Sequence, residues 1–362
     1  MWDTYLPKPY VAYFIPLFLI FILIEMYLLH RRNQRYRLND TVTNLALGVY
    51  SQVLAIFYSG VVHFCYIIFY ENARLFTVPD KFIFSVICFI LVDLLYYFYH
   101  RSSHECSIIW GSHEAHHQSE EYNLSVALRQ GAFQTLFLFP FYIPLAVLGF
   151  HPLVFFTCYQ FNLIYQFLLH TTLVDKLGFL EIIFNTPSHH RVHHGVNPEY
   201  LDKNHGGVLI VWDKIFGTFC LENTKPTYGT VTPLASFNPV WANFRYWAYL
   251  LDLSLKTKKL SEKIKVWVSS PGYIPKDLVD KNLSLEASFE IFQKYDPKIS
   301  GAQRKLAFIL FILASIMSVL YLSTHHRVED GDLVVGVFIL YHFYFLSKFL
   351  DFPMFVKREF RS

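Results

Sequence analysis

The 362-residue sequence predicts an all-α fold, a multi-pass transmembrane helical bundle with a histidine-rich cap on one side. Hydrophobic residues make up 54% of the chain and charged residues only 16%, whereas soluble proteins carry about 25% charged residues. Several apolar runs reach the roughly 20 helical residues that cross a bilayer core. Twelve of the 17 histidines lie between residues 100 and 205. The composition and the runs indicate a membrane protein, and the histidines indicate where its chemistry lies.

Seven apolar runs are predicted to form membrane-embedded helices. Only "GFHP" separates the fourth run from the fifth, so these two should form a tight helical hairpin. Between the fifth and sixth runs, "LGFLEIIF" and "VLIVWDKIFGTF" are amphipathic and are predicted to lie in the membrane interface. The runs are Tyr10–Leu29, Leu45–Tyr70, Phe82–Tyr99, Phe133–Phe150, Leu153–Leu169, Leu306–Leu322 and Leu333–Leu350.

Lysine and arginine in short loops predict the orientation, because such residues are retained on the cytosolic side. The loop "HRRNQRYR" after the first run carries four arginines and is predicted to be cytosolic. Alternation then places the ends of the third and fifth runs, the lysine-rich segment 256–305 and the C-terminal tail on that side. No cleavable signal peptide is expected. The membrane would be the endoplasmic reticulum in a eukaryote or the inner membrane in a bacterium.

Three histidine boxes have helical spacing and share the predicted cytosolic side. Residues three or four apart on a helix lie on one face, with Cβ atoms about 5–6 Å apart. Imidazole nitrogen is a good ligand for iron, zinc and copper, and nine such ligands suffice for two ions. The cap is therefore predicted to be a di-metal site. The nine candidate ligands are His100, His104, His113, His116, His117, His170, His190, His193 and His194.

The other histidines are interpreted differently. His30, His63 and His151 stand alone and are expected to be interfacial or packed side chains. His325 and His326 fall on the opposite side of the membrane in the predicted topology, and no metal role is expected for them. Two further histidines, His189 and His205, neighbour the boxes, and whether they join the site is left open. The net charge of +3 is too small to indicate a nucleic-acid partner, and the five scattered cysteines indicate neither a disulfide framework nor a thiolate metal site.

The boxes H-x3-H, H-x2-HH and a later H-x2-HH resemble the signature of the fatty acid hydroxylase superfamily of membrane di-iron oxygenases. The segments "VDLLYYFYHRSSHE", "HEAHHQSEEYNLSVALRQ", "YQFLLHT" and "NTPSHHRVHHG" resemble its alkylglycerol-cleaving members most closely. This resemblance implies two iron ions, O₂ as co-substrate and tetrahydrobiopterin as reductant, which a separate enzyme would recycle. The implied substrate is a glycerol ether lipid in the bilayer, hydroxylated to a hemiacetal that yields a fatty aldehyde and a glycerol derivative.

Three further residues are candidates for the site. A glutamate after the first box is linked to pterin use in this superfamily, and Glu105 stands at that position. Asp93 lies seven residues before His100, two helical turns away on the same face, and is expected to hydrogen-bond a ligand histidine and so support catalysis. Arg129 is expected to contact a lipid headgroup or the pterin.

The predicted organisation has four parts, in chain order: N-terminal transmembrane helices (1–81), a fatty acid hydroxylase-like catalytic core (82–225), a cytosolic connector (226–304), and C-terminal transmembrane helices with a tail (305–362). The absence of a dinucleotide-binding glycine motif and of a haem or flavin domain favours an external reductant. Alternatives are another superfamily reaction (sterol desaturation, sterol methyl oxidation or fatty acyl hydroxylation) and a haem-binding electron-transfer protein. The oligomeric state and the alkyl chain length are left open.

Overall fold

A computed structural model describes residue 5 and residues 7–279, 294–324 and 330–352. His325, His326 and the tail after residue 352 lie outside these residues. Within them the chain is helical and forms no β-strand, in agreement with the predicted fold class. The helices are α1 (Tyr10–Arg31), α2 (Leu38–Ala73), α3 (Phe82–Glu105), α4 (Ser107–His117), α5 (Gln134–Val147), α6 (Pro152–Phe167), α7 (Pro187–His193), α8 (Val211–Phe216), α9 (Pro239–Lys256), α10 (Leu260–Val268), α11 (Gly301–Thr324) and α12 (Asp330–Asp351).

Five helices in the described residues are long and apolar enough to cross a membrane. They are α1, α2, α3, residues Gly301–Tyr321 of α11 and residues Val334–Asp351 of α12. Many of their large apolar side chains face outward, as expected where lipid rather than protein surrounds a helix. The chain is therefore a multi-pass membrane protein.

Helix α2 is longer than its apolar part. Its 36 residues span about 54 Å, well beyond the roughly 30 Å bilayer core. The predicted run began at Leu45, but the helix begins seven residues earlier with a buried polar turn that includes Asp40 and Asn44. This turn extends past the apolar part of the bundle and packs against the segment that follows the second histidine box.

Helices α5 and α6 form a helical hairpin, but it is not the tight one predicted, since both helices pack mainly against neighbouring helices such as α3. Each is also shorter than its predicted run. With 14 and 16 residues they span about 21 and 24 Å, less than a full bilayer core. Gly149 makes the bend, with a φ of +90° that residues with a side chain rarely adopt. A Cβ at this position would come within 1.9 Å of the Phe76 carbonyl oxygen, so the loop after α2 closes over the bend.

The histidines lie at the opposite end of this hairpin. Helix α5 begins next to His113, since Gln134 contacts that ring, and the chain reaches His170 three residues after α6 ends. The arginine-rich loop after α1 lies on the same side, because Arg37 forms ion pairs with Glu120 and Glu121 just after α4. Helix α9 packs along α4 and completes the cap.

Candidate metal centre

The break between α3 and α4 brings the first two histidine boxes together. Cys106 adopts an extended conformation (φ −130°, ψ 117°), which ends α3 at Glu105 and lets α4 begin at Ser107. Helix α4 therefore packs back against α3 instead of continuing it. As a result the rings of His100 and His113 meet, with their Nε2 atoms 3.0 Å apart.

The nine predicted ligands form two groups, and in each group the possible ligand atoms lie within 4.8 Å of one another. All nine side chains are buried. The groups adjoin, since the rings of His117 and His194, one from each group, are stacked with centroids 4.3 Å apart. The first group contains His100, His104, His113, His117 and His193, and the second contains His116, His170, His190 and His194.

Each H-x2-HH box divides between the two groups in the same way. In α4 the outer pair His113 and His117 joins the first group, whereas His116 joins the second. In the last box the outer pair His190 and His194 joins the second group, whereas His193 joins the first. Residues four apart overlie each other on a helix, so the outer pair serves one group and the middle histidine reaches the other. The two groups are thereby interleaved.

Hydrogen bonds to fixed acceptors orient the rings. The Nδ1 atoms of His100, His116 and His193 lie 2.8–2.9 Å from the carbonyl oxygens of His205, Arg129 and Lys203 respectively. His170 makes the equivalent contact with the Gln166 carbonyl oxygen at 3.0 Å. A carbonyl only accepts, so Nδ1 must carry the proton, and each of these rings turns an Nε2 lone pair toward its group.

These lone pairs face one another at short distances, which is the arrangement that a metal ion requires. In the second group the Nε2 atom of His170 lies 3.2 Å from that of His116 and 3.1 Å from that of His190. An ion about 2.1 Å from each of two nitrogens at a right angle would leave them about 3.0 Å apart. Among the described residues, the buried Nε2 atoms of His104, His193 and His194 have no hydrogen-bond partner. The donor set therefore fits metal binding in both groups.

Burial keeps the imidazoles outside the membrane-spanning helices neutral. It lowers the pKa of His116 and of His193 to about 4. It also holds the pKa of His113, His117, His170, His190 and His194 well below the usual histidine range. Neutral imidazole is the ligand form, so no proton has to leave these rings at neutral pH before an ion binds.

Asp93 does not contact a histidine, contrary to the sequence expectation. Its Oδ1 atom accepts from the Val208 backbone N–H at 2.7 Å, and its Oδ2 atom accepts from Leu209 N–H and the Trp212 indole N–H, both at 2.9 Å. Seven helical residues rise about 10 Å, too far for this carboxylate to reach His100. Asp93 instead fixes the loop whose His205 carbonyl orients the His100 ring.

The same carboxylate is connected to the second group. Asn162 of α6 donates to Asp93 Oδ1 at 2.8 Å and accepts from the side chain of Gln166. The carbonyl of Gln166 in turn accepts from His170 Nδ1. Asp93 therefore links the supports of both groups, one through the 205–209 loop and one through α6.

A second buried carboxylate holds the other end of that loop. Asp213 accepts from the backbone N–H groups of His205 at 2.7 Å and Gly206 at 2.8 Å, and from the Thr218 hydroxyl. The His205 ring lies 5.1 Å from the His104 ring, but it is outside both groups. Asn204 braces the loop through the carbonyls of His189 and Cys220.

Arg129 is buried in the cap and is not at an exposed surface where a lipid headgroup would contact it, while its expected contact with the pterin stays a prediction. Its side chain is inside the cap, where Nε donates to the Ala115 carbonyl and the two terminal nitrogens donate to Asn44 and Gln118 at 3.1 and 3.0 Å. Burial lowers the pKa of Arg129 to about 10, so it is charged at neutral pH. It joins α2 to α4 and presents the carbonyl that orients His116.

Glu105 lies at the water-accessible end of α3. Its half-exposed carboxylate forms an ion pair with Arg101 at 2.8 Å, one helical turn earlier. It belongs to neither histidine group. The residue is thus adjacent in sequence to the ligand candidate His104 while its own side chain is open to the aqueous side.

Several supporting residues were missed at the sequence level. Arg191 in the last box forms a two-point ion pair with Glu222 and donates to the carbonyls of Thr171 and Val174, which fixes α7 against the chain after His170. Glu25 in α1 is buried and accepts from the Leu124 N–H and from Tyr36 and Thr171. A charged residue inside an apolar helix is the signal that could have identified Glu25.

The other histidines in the described residues lie outside the two groups. His63 packs against Phe156, and His151 caps the N-terminus of α6 by accepting from the Leu153 N–H. His189 is buried against Phe219 and belongs to neither group. These positions agree with the interpretation of His63 and His151 as packed side chains.

Comparison with known proteins assigns the family. The fatty acid hydroxylase family matches residues 85–218, which contain all nine histidines. Alkylglycerol monooxygenase of Homo sapiens is 42% identical over 269 residues, covering 74% of this chain and 60% of that protein. The Xenopus tropicalis protein of the same name is 38% identical over 311 residues, covering 85% of this chain and 69% of the relative.

The similarity to one other lipid hydroxylase covers a smaller part of the chain. An ornithine lipid hydroxylase of Rhizobium tropici is 30% identical over 135 residues, or 37% of this chain and 41% of that protein. No solved structure gives a significant match. The chain spans about 60% of the length of the human and Danio rerio relatives. By its similarity over most of its length, the chain belongs to the alkylglycerol monooxygenase family.

Proposed function

We propose that this protein is a di-iron monooxygenase that cleaves the O-alkyl bond of glycerol ether lipids such as alkylglycerols and lyso-alkyl phospholipids. The observation that carries the proposal is the pair of adjoining groups of buried, neutral histidines in a membrane chain of this family. The names of its relatives supply the substrate class. In this proposal residues 82–225 form the catalytic core between the flanking helices (1–81 and 305–362) and the connector (226–304).

The reaction balances with O₂ and a two-electron reductant. Two bound iron ions would supply the reduction of O₂ and the transfer of one oxygen atom to the alkyl carbon next to the ether oxygen. The product is a hemiacetal, which breaks its C–O bond to give a fatty aldehyde and a free glycerol hydroxyl. The second oxygen atom leaves as water, using two electrons and two protons from tetrahydrobiopterin.

The protein's own residues hold the ligand rings in place and in their neutral form. Nine uncharged imidazoles bring no compensating negative charge, so both ions would retain their full positive charge. The backbone carbonyls of Arg129, His205 and Lys203 fix the tautomers of three ligands. Asp93 and Arg191 hold the elements that carry His170, His190 and His194.

The reductant would approach from water. Glu105 is exposed beside His104, so its carboxylate is open to a polar pterin that donates N–H groups. The positive-inside bias of the arginine-rich loop, which shares this side, supports a cytosolic site. The enzyme would then work in the endoplasmic reticulum of a eukaryote or the inner membrane of a bacterium, with a separate enzyme recycling the pterin.

A second candidate is hydroxylation of a lipid chain without cleavage. The similarity to an ornithine lipid hydroxylase favours it, and that match covers the histidine-bearing part of the chain. A haem would not fit between ligand atoms that are clustered within 4.8 Å in groups of four and five.

The test is cleavage of a labelled alkylglycerol by purified protein in lipid nanodiscs under ¹⁸O₂. We expect a fatty aldehyde, trapped by reduction, that carries one ¹⁸O and forms only when tetrahydrobiopterin is added. A hydroxylated lipid with an intact ether bond would favour the second candidate. Turnover supported by a protein electron donor without pterin would show that tetrahydrobiopterin is not the reductant.

A matched pair of variants tests Glu105 separately. Glu105→Ala should raise the pterin concentration that gives half-maximal turnover while leaving the iron content unchanged. Glu71→Ala removes a similarly exposed glutamate that pairs with Arg74 at the C-terminal end of α2 and should change neither quantity. Equal pterin dependence in both variants would remove Glu105 from the pterin site.

A further inference from the structure

An apolar groove lies on the outside of the cap, between α5 and the α9–α10 hairpin. Phe133, Leu136 and Phe137 line one wall, and Phe244, Trp247 and Trp267 line the other. Its volume is about 350 Å³, within the range of small-molecule sites. We propose that this groove, the α5/α9 groove, holds one chain of an anionic phospholipid from the leaflet on the histidine side.

The groove walls are fixed and offer carbon atoms only. The single polar atom of Trp247 is turned away, since its indole N–H donates to the Ile108 carbonyl at 2.9 Å. Trp247 packs directly on α4, where a Cβ at Gly111 would come within 2.2 Å of the indole nitrogen. Phe133 contacts both Phe244 and Trp247, with ring centroids 5.5 and 5.6 Å apart.

The groove is separate from the metal centre. Gly111 faces Trp247, whereas His113 and His117 are rotated from it by about 200° and 240° around α4. These histidines therefore face the first group on the far side of the helix. A molecule in the α5/α9 groove would touch the back of α4 and would not approach the ligand nitrogens, so its binding does not depend on the proposed reaction.

Continuity with the membrane-facing surface identifies the occupant as lipid. Leu136 in the groove wall belongs to α5, an apolar helix of the bundle, and is partly exposed. From Phe244 in the opposite wall, exposed apolar side chains continue at helical spacing along α9 and α10: Leu251 and Leu255, then Leu260, Ile264 and Val268. Helices with such a face and a polar opposite face lie in the membrane interface.

Charge identifies the headgroup. Five lysines fall between residues 256 and 265, at the turn between α9 and α10 and along α10. Lys256 pairs with Asp252 and Lys265 with Glu262. In the described part of the chain Lys258, Lys259 and Lys263 form no ion pair. These three are available for a lipid phosphate, and each lysine near an anionic surface contributes about fivefold in affinity.

The first experiment measures lipid retention by native mass spectrometry of the full chain released from nanodiscs of phosphatidylcholine and phosphatidylglycerol. We expect one retained phosphatidylglycerol in the wild type. Leu136→Trp fills the groove and should abolish its retention, whereas Leu148→Trp, equally exposed at the far end of α5, should preserve it. Equal retention by both variants, or a change from dimer to monomer in Leu136→Trp with no lipid bound, would overturn the proposal.

The second experiment tests the headgroup and does not require a groove-filling variant to fold. Replacing Lys258, Lys259 and Lys263 by glutamine should remove the preference for phosphatidylglycerol, and an unchanged preference would overturn the headgroup assignment. In wild-type protein, phospholipids brominated in the chain should quench tryptophan fluorescence. Trp267→Phe should remove more of that quenching than Trp241→Phe, which changes a tryptophan outside the groove. The reverse order would contradict the site.

Discussion

Asp93→Asn should lose both stability and metal, because the carboxylate accepts four hydrogen bonds at once. Val208 and Asn162 donate to one oxygen, and Leu209 and Trp212 donate to the other. Asparagine keeps one acceptor oxygen and directs an NH₂ group at the other two donors. Two hydrogen bonds to a charged acceptor, at about 1.5–3 kcal/mol each, are lost, so the free energy of unfolding should fall by about 3–6 kcal/mol.

Metal affinity should also fall, because the 205–209 loop and α6 orient ligands in both groups. We expect metal affinity to fall by about 10–100-fold, measured as iron per chain by mass spectrometry alongside the thermal unfolding of the same sample. Trp212→Phe removes a single donor and should give a smaller loss. Glu262→Gln is the control, since Glu262 is buried in α10 and bonds Lys265 and Tyr273 away from the histidines. Wild-type iron content and unfolding temperature in Asp93→Asn would refute this account.

The remaining predictions concern the ligands, the buried arginine and metal removal. His113→Ala should reduce bound iron by about one ion per chain, whereas His63→Ala, a packed histidine, should leave the iron content unchanged. Arg129→Met leaves three buried acceptors without a donor and should lower the free energy of unfolding by about 3–5 kcal/mol; a thermal scan without a shift would contradict this. Chelation should increase amide hydrogen exchange in α7 but not in the apolar part of α3, and equal exchange in both states would show that metal does not support α7.

The sequence predicted the fold class and the nine clustered histidines because both depend on local patterns. The length of an apolar run predicts a membrane-spanning helix, and histidines three or four residues apart share one helical face. The division of these histidines between two groups was not predicted. It depends on α4 turning back at Cys106 and on α7 meeting it, which are contacts between segments about 70 residues apart.

The roles of Asp93 and Arg129 show where pattern reasoning stops. The seven-residue separation correctly places Asp93 and His100 on one face of α3. The expectation did not allow for the rise along the helix axis, which keeps the two side chains apart. Arg129 precedes an apolar run and was therefore expected at the membrane surface. The polar end of α2 covers it instead, through Asn44 from a helix that ends more than 50 residues earlier.

The two groups also explain why such short elements are stable in the cap. Helix α7 has seven residues, fewer than an isolated helix needs in water, yet its box supplies ligands to both groups. The first group joins α3, α4 and α7, and the second joins α4, α7 and the chain after α6. Each ion would therefore cross-link three elements, and its binding free energy would count toward folding. The Arg191–Glu222 pair holds α7 from the other side, so ion pairs and bound metal would stabilise the cap, whereas apolar packing stabilises the membrane helices.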